Sequence, residues 1–168
     1  IIKRINEKYK NINWDILSEE NVKISSKIFD SKTDWIWVLD PLDGTKDFIQ
    51  GTGNYAMHLA LNFKQKPYIG FVLIPDKNQL WITDGKKTWC EKRDGSKYEP
   101  ILLKNRNLHE MTLVTSKNHG NEILKNLIQE INFCKVQIMG SIGCKIASIV
   151  QGESCLLYTS DAADDLRG

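Results

Sequence analysis

The chain has 168 residues, about the length of one domain, and 41% of them are hydrophobic, enough to build a core. Its 23 basic and 21 acidic residues give a formal net charge of +2, and the lysines are scattered, which argues against a nucleic-acid partner. No stretch approaches the roughly 18 apolar residues of a membrane span, and the start IIKRINEKYK lacks the apolar run of a signal peptide. The four cysteines have no zinc-site or disulfide-framework spacing. We therefore expect a cytoplasmic protein with reduced thiols and without a membrane or nucleic-acid partner.

The predicted elements begin with the end of an amphipathic helix, IIKRINEKYKN, followed by the strand-like WDIL. Apolar runs bounded by turn residues then predict an antiparallel sheet with strands at 35–39, 55–63, 68–74, 80–83 and 88–91. After Pro100 the pattern changes to the strand MTLVTS, a helix at 121–131, the strand CKVQIM and a helix at 141–150. This order of elements predicts a layered α/β (α+β) fold.

Both ends of the chain lead us to expect an incomplete protein. The first residue is isoleucine, and the first helical pattern lacks a capped start. The run CLLYTSDAADD resembles a frame translation of a transposase-type sequencing-library adapter, so we expect residues 155–168 to be a non-native tail. Within the rest, we expect residues 1–99 to form an N-terminal metal- and phosphate-binding part and residues 100–154 to begin a C-terminal α/β part.

One stretch, WIWVLDPLDGTKDFIQG, runs from an apolar strand directly into a cluster of carboxylates. Asp40 stands at the predicted strand end, and Asp43 follows beyond a proline that fixes the turn. One interpretation is a strand followed by tight turns with solvated carboxylates. If the carboxylates instead converge, their repulsion raises a pKa unless a cation lies between them. Carboxylates and a backbone carbonyl such as that of Leu42 are the oxygen ligands that hard divalent cations prefer.

The residues after Asp43 can begin a helix, and the exposed N–H groups of a helix start attract an anion such as phosphate. A metal ion beside a bound phosphate is the chemistry of a phosphatase. No cysteine or histidine nucleophile is required. His58 lies in the strand pattern AMHLAL, where we expect it to pack within or at the edge of the sheet.

Three motifs, in order, resemble those of the inositol monophosphatase superfamily of lithium-sensitive, Mg²⁺-dependent phosphatases. WVLDPLDGTKDF resembles the family signature D-P-[IL]-D-G-T followed by an aromatic residue, and ILSEE resembles the upstream Gly/Ser-Glu-Glu. MGSIGCKIASIVQGES resembles the downstream Gly-Ser followed by a helix that ends in Gly-x-x-Asp. The resemblance covers residues 1–154 and implies the αβαβα sandwich of the family, incomplete at both ends.

The resemblance also implies a role for each matching residue. The ligands of a Mg²⁺ cluster would be Glu19, Asp40, Asp43 and the Leu42 carbonyl, with Asp40 bridging two ions and Glu20 a weaker or indirect ligand. The alternative for Glu19 is a solvated loop carboxylate. The Thr45 hydroxyl would orient the attacking water, which makes the implied catalytic set Glu19, Asp40, Asp43 and Thr45. The implied substrate-binding set is Asp43, Gly44, Thr45, Ser116, His119, Gly140 and Ser141.

The flanks of the signature favour one branch of the superfamily. TKDFIQGTGNYAMHLAL is more similar to the 3'(2'),5'-bisphosphate nucleotidases than to inositol monophosphatases, and TSKNH resembles the Ser-x-x-His segment that contacts the nucleotide in that branch. The resemblance therefore implies hydrolysis of adenosine 3',5'-bisphosphate to AMP and phosphate. Inositol phosphates are the second expectation and fructose 1,6-bisphosphate is the third. The alternative for His119 is a helix-start residue without a ligand.

Two further expectations limit this assignment. A non-catalytic module that binds metal or phosphate, or an interaction domain in which DPLDGT is only a turn, would carry the same motif. In the family, an additional Asp near the end of the first helix activates the water, and an Asp that follows the later helix binds a metal. Neither has a counterpart among residues 1–154, so we expect the 168-residue chain itself to be inactive.

Overall fold

The computed structural model describes residues 2–18, 33–101, 106–116 and 122–158, except for the side chain of residue 123. The described residues form two sheets with a helix between them. None of the helices in these ranges is long and apolar enough to cross a membrane. The first helix, α1, is Ile2–Lys8, and it precedes the first strand.

The first sheet has seven strands in chain order. Strand β1 (Asp15–Ser18) pairs parallel to β2 (Trp35–Asp43), whereas all later neighbours are antiparallel. Short connections allow only antiparallel neighbours, which is why this part is a meander. A short helix, α2 (Thr45–Gln50), follows β2. The remaining strands are β3 (Ala56–Phe63), β4 (Lys66–Ile74), β5 (Gln79–Thr83), β6 (Thr88–Glu91) and β7 (Lys97–Tyr98).

The second sheet has three parallel strands. Strand β8 (Thr112–Thr115) lies between β9 (Lys135–Ile138) and β10 (Leu156–Tyr158). Parallel strands need long crossovers, and the helices α3 (Glu122–Ile131) and α4 (Ile142–Val150) lie in these crossovers. The three residues of β10 belong to the segment that we expect to be non-native, and that expectation stays a prediction.

The main core joins the two sheets through α4. Ala56 and Ile74 of the first sheet, Val114 of the second, and Cys144 and Ala147 of α4 belong to one buried cluster. A smaller cluster of Leu113, Leu124 and Phe133 lies between the second sheet and α3. Burial of apolar surface on both sides of α4 makes this helix the middle layer of a sandwich.

The layered α/β fold predicted from the sequence is confirmed. The predicted bounds agree within one or two residues for β1, β3 to β6, β8, β9, α3 and α4, whereas no strand was predicted at β7 or β10 and the predicted β2 was too short. Strand β2 does not end at Leu39 but continues through Pro41 to Asp43, because a register shift accommodates the proline. The proposed division at residues 99 and 100 stays a prediction.

Truncation of a side chain in the main core tests the sandwich. Ile74 has no exposed surface and lies in the cluster that joins the sheets, so Ile74→Ala should lower the free energy of unfolding by about 2–5 kcal/mol. Ile49→Ala is the matched control, because Ile49 is 77% exposed, and it should change the value by about 0.5 kcal/mol or less. Urea unfolding measures both variants. Equal losses would contradict the described core.

Candidate active site at the end of strand β2

A bulge in β2 brings two acidic side chains to one face of the first sheet. Asp40 stands opposite His58 of β3, and Asp43 stands opposite Ala56. Residues three apart on a regular strand point to opposite faces. Here the three residue steps from Asp40 to Asp43 in β2 lie opposite only two steps of β3, from His58 to Ala56. Because directly opposed residues share a face, Asp40 and Asp43 both lie on the face of His58 and Ala56. This is the face that the start of α4 covers.

The Asp43 carboxylate is held by the beginning of α4. Its Oδ2 accepts hydrogen bonds from the Ser141 hydroxyl at 2.6 Å and from the Gly143 N–H at 3.1 Å. The imidazole Nε2 of His58 also lies 3.1 Å from this oxygen. Burial alone would raise the pKa of the Asp43 carboxyl, but the contacts with His58, Ser141 and Gly143 outweigh burial and hold this pKa below its usual value.

The expectation of a raised pKa at converging carboxylates is therefore wrong for Asp43. The charge is compensated by groups of the chain itself. These are His58 of β3 and, almost a hundred residues later in the sequence, Ser141 and Gly143 at the start of α4. Hydrogen bonds to a carboxylate favour its charged form, so Asp43 stays ionised without a cation.

The residues between the two carboxylates form a compact turn. Asp40 Oδ1 accepts a hydrogen bond from the Leu42 N–H at 3.1 Å, and the Leu42 carbonyl accepts one from the Thr45 hydroxyl at 3.2 Å. A carbonyl oxygen has two lone pairs, so the Leu42 carbonyl can accept from more than one partner. The turn thus presents carboxylate and carbonyl oxygens next to the start of α2.

These oxygens suit a hard divalent cation in kind, although the ligand set is partial. Within the described part of the chain, Oδ1 of Asp43 makes no hydrogen bond, so one oxygen of this carboxylate is available as a ligand. The same ranges contain no group of three or more His, Cys, Asp or Glu side chains arranged to hold a metal ion. The predicted ligand Glu19 and its neighbour Glu20 lie outside the described residues. The metal assignment stays a prediction.

A polar cleft of about 540 Å³ opens beside the turn. Its lining includes the predicted phosphate- and substrate-binding residues Gly44, Thr45, Ser116 and Gly140. Gly44 has a φ of 85°, and a side chain there would meet the Asn54 carbonyl at 3.0 Å and Ser141 at 3.1 Å. Glycine therefore lets the backbone turn close to Ser141. The predicted residue His119 lies outside the described residues.

Two residues of this region were not predicted from the sequence. Lys145 is only 3% exposed, and its ammonium donates a hydrogen bond to the Ser116 hydroxyl at the cleft. Burial lowers the pKa of Lys145, against the opposing effect of the Asp43 and Asp47 carboxylates. Asp47 lines the cleft and would clash with any side chain at position 140. The sequence signal that could have identified Lys145 is the presence of a lysine within the apolar pattern IGCKIASIV.

His58 is the third residue that the sequence did not predict as part of the site. Its strand pattern predicts packing alone, yet its imidazole contacts Asp43 and lies against Gly143. No local sequence signal identifies this contact, because Gly143 is far away in the chain. The predicted pair of Gly140 and Ser141 does lie at the site, with Ser141 bonded directly to Asp43.

Removal of the Ser141 hydroxyl tests the link between Asp43 and α4. Ser141 is fully buried, and its Oγ donates to Asp43 and accepts from the Cys144 N–H as the N-cap of α4. Ser141→Ala should lower the free energy of unfolding by about 2 kcal/mol in urea titrations. Ser148→Ala, also fully buried in α4 but bonded to the Lys145 carbonyl of its own helix, should cost about 1 kcal/mol or less. Similar costs would argue against the link.

Comparisons with known proteins place this geometry in a family. The family model described as the inositol monophosphatase family matches residues 1–164. The 3'(2'),5'-bisphosphate nucleotidase CysQ of Buchnera aphidicola is 32% identical over 139 residues, which are 82% of this chain and 49% of that protein. CysQ of Escherichia coli K12 is 29% identical over 120 residues, or 71% of this chain and 47% of that protein. The chain spans about half the length of the curated relatives it matches.

Solved structures share the fold. Inositol monophosphatase II from Staphylococcus aureus has a TM-score of 0.70 at 26% identity, over 91% of this chain and 55% of that chain. Other structures of this staphylococcal enzyme have 2'AMP or inositol monophosphate bound. The IMPase of Thermotoga maritima has a TM-score of 0.72 at 21% identity, over 94% of this chain and 57% of that chain. By its sequence match and by its fold, the chain belongs to the inositol monophosphatase family.

Proposed function

We propose that the protein carrying this chain is a metal-dependent phosphomonoester hydrolase. The observation that carries the proposal is the bulge in β2, which places Asp40 and Asp43 on one face beside the turn into the polar cleft. Carboxylates that share a face next to a cleft with a buried lysine can bind a cation and an anion side by side. Membership of a family of metal-dependent phosphatases supports the same activity.

The proposed metal is Mg²⁺, with Asp40, Asp43, the Leu42 carbonyl and Glu19 as its ligands. All of them offer oxygen atoms, which Mg²⁺ prefers. When bound, the metal lowers the pKa of a water molecule and neutralises charge on the phosphate. The contribution of the chain is to hold the carboxylates in place, and Ser141 and Gly143 do so for Asp43.

The phosphate would lie against the turn of Gly44 and Thr45. The absence of a side chain at Gly44 lets this turn lie close to Ser141, and the proposed phosphate contacts are the backbone N–H groups of the turn. The Thr45 hydroxyl donates to the Leu42 carbonyl, and its lone pairs remain able to accept a hydrogen bond from the attacking water. Lys145 adds a buried positive charge behind Ser116, on the cleft wall that also includes Gly140. In-line attack by water then needs no covalent intermediate with the protein.

The proposed substrate is adenosine 3',5'-bisphosphate, which would be converted to AMP and phosphate. The curated relatives named as 3'(2'),5'-bisphosphate nucleotidases support this choice. Inositol monophosphate is the second candidate, because a structure of the staphylococcal neighbour contains it, whereas another contains 2'AMP. A cleft of about 540 Å³ is large enough for a small phosphorylated molecule.

Phosphate release tests the proposal and separates the two substrates. The full-length gene product that carries this sequence should release phosphate from adenosine 3',5'-bisphosphate faster than from inositol 1-phosphate, and only with Mg²⁺. The 168-residue chain should be assayed beside it, and we expect it to be inactive. Binding of Mg²⁺ and nucleotide by the full-length protein without phosphate release would instead support a non-catalytic module.

Loss of a carboxylate charge tests the metal ligands. Asp43→Asn in the full-length protein should lower turnover by at least about 100-fold, because a neutral amide is a poor ligand for Mg²⁺. Asp34→Asn is the matched control, since Asp34 is 62% exposed and its ion pair with Lys64 has a distance of 3.9 Å. Phosphate release at saturating substrate measures both variants. Near wild-type turnover in Asp43→Asn would refute the ligand assignment.

Loss of the Thr45 hydroxyl tests the role of this residue. Thr45→Ala should lower kcat by about 100-fold while Mg²⁺ affinity changes little, because the hydroxyl is assigned to the water and phosphate. Thr45→Ser keeps the hydroxyl and should restore most of the activity. The measurements are kcat and the Mg²⁺ concentration at half-maximal rate. A variant that weakens only Mg²⁺ binding would place Thr45 with the metal instead.

A further inference from the structure

The contacts of Asp43 are divided unequally between its two oxygens. The Ser141 hydroxyl, the Gly143 N–H and the His58 imidazole all face Oδ2. Within the described ranges, Oδ1 makes no hydrogen bond. The carboxylate is therefore anchored through one oxygen, and this anchor sets the direction in which the other oxygen points.

His58 is the member of this anchor that comes from the sheet itself. Its Nε2 is buried and lies 3.1 Å from Oδ2, but it makes no aligned hydrogen bond within the described part of the chain. A hydrogen on Nε2 makes this contact favourable, because two acceptor atoms at this distance would repel each other. The imidazole thus contacts Oδ2 from β3, beside the donors at the start of α4.

The close approach of α4 depends on this arrangement. A side chain at position 143 would collide with the imidazole of His58 and would crowd Val72 and Ala56. Glycine at 143 lets the first turn of α4 approach β3, and the Gly143 N–H can then reach the same carboxylate oxygen as His58. His58 and the start of α4 thus both contact Oδ2.

We propose that His58 is a positioning residue, which fixes the Asp43 carboxylate so that Oδ1 alone is presented as a metal ligand. This inference rests on the proposed function, because it assumes that Asp43 binds the cation. A ligand held in one orientation loses less conformational freedom when the metal binds. A partner that orients a metal ligand typically contributes about 10–100-fold to metal affinity or activity.

Metal affinity measured without turnover tests the proposal. The full-length protein and its variants would be titrated with Mn²⁺, a spectroscopic substitute for Mg²⁺, and free Mn²⁺ would be followed by electron paramagnetic resonance. His58→Leu keeps much of the volume but removes the donor, and it should weaken Mn²⁺ binding by about 10-fold. His58→Gln retains an N–H donor at similar reach and should restore most of the affinity. His109→Leu is the control, because His109 is exposed and lies outside the site.

Thermal melts without metal separate positioning from stability. If His58→Leu does not fold, His58→Asn replaces it, since the shorter amide cannot reach Asp43. A folded donor-less variant that binds Mn²⁺ as tightly as the unmodified full-length protein would overturn the positioning role and leave the proposed function intact. Equal weakening in the Leu and Gln variants would also overturn it. Absence of Mn²⁺ binding in the unmodified full-length protein would overturn the metal site and this inference together.

Discussion

The Asp43 carboxylate joins the two halves of the structure. It ends the bulged strand of the first sheet and accepts hydrogen bonds from Ser141 and Gly143 at the start of α4. Without these donors, a carboxylate with only 17% of its side chain exposed would be costly to keep ionised. The position of α4 between the sheets, the shape of the turn at Gly44 and the charge of Asp43 are therefore one arrangement, in which each part requires the others.

The bulge gives the second constraint. Pro41 cannot donate a hydrogen bond to a neighbouring strand, so a regular strand would have to end before it. A bulge at this point tolerates the proline and at the same time reverses the face on which Asp43 lies. One local irregularity thus creates both the shared face of the carboxylates and the turn that leads into α2.

The sequence predicts those strands and helices that have a local pattern of their own. Apolar runs identified β3 to β6, and the spacing of IGCKIASIV identified α4, because strand and helix periods differ. The extension of β2 to Asp43 was missed, since Pro41 normally marks the end of a strand. The start of β4 at Lys66 was missed because Lys64 and Gln65 form the preceding turn with positive φ, and neither is a usual residue for that conformation.

The residues of the candidate site also fall into two groups, those that a local motif predicts and those that it does not. DPLDGT identified Asp40, Asp43, Gly44 and Thr45, which are neighbours in sequence as well as in space. The roles of His58 and Lys145 depend on contacts with residues far away in the chain, so their immediate surroundings predict only packing. The direction of the pKa shift of Asp43 could not be predicted either, because it depends on contacts with His58 of β3 and with Ser141 and Gly143 at the start of α4.

The hydrogen bond between Asp43 and Ser141 spans 98 positions of the chain, and this separation has a consequence for folding. A contact of such long range is made only after a large loop has closed, so the meander can form while the site does not yet exist. In the reverse direction, a local opening at the first turn of α4 would dismantle the site and leave the strands paired. A cation that binds only the closed arrangement would then stabilise the contact between the meander, which can form early, and the first turn of α4, which joins it late.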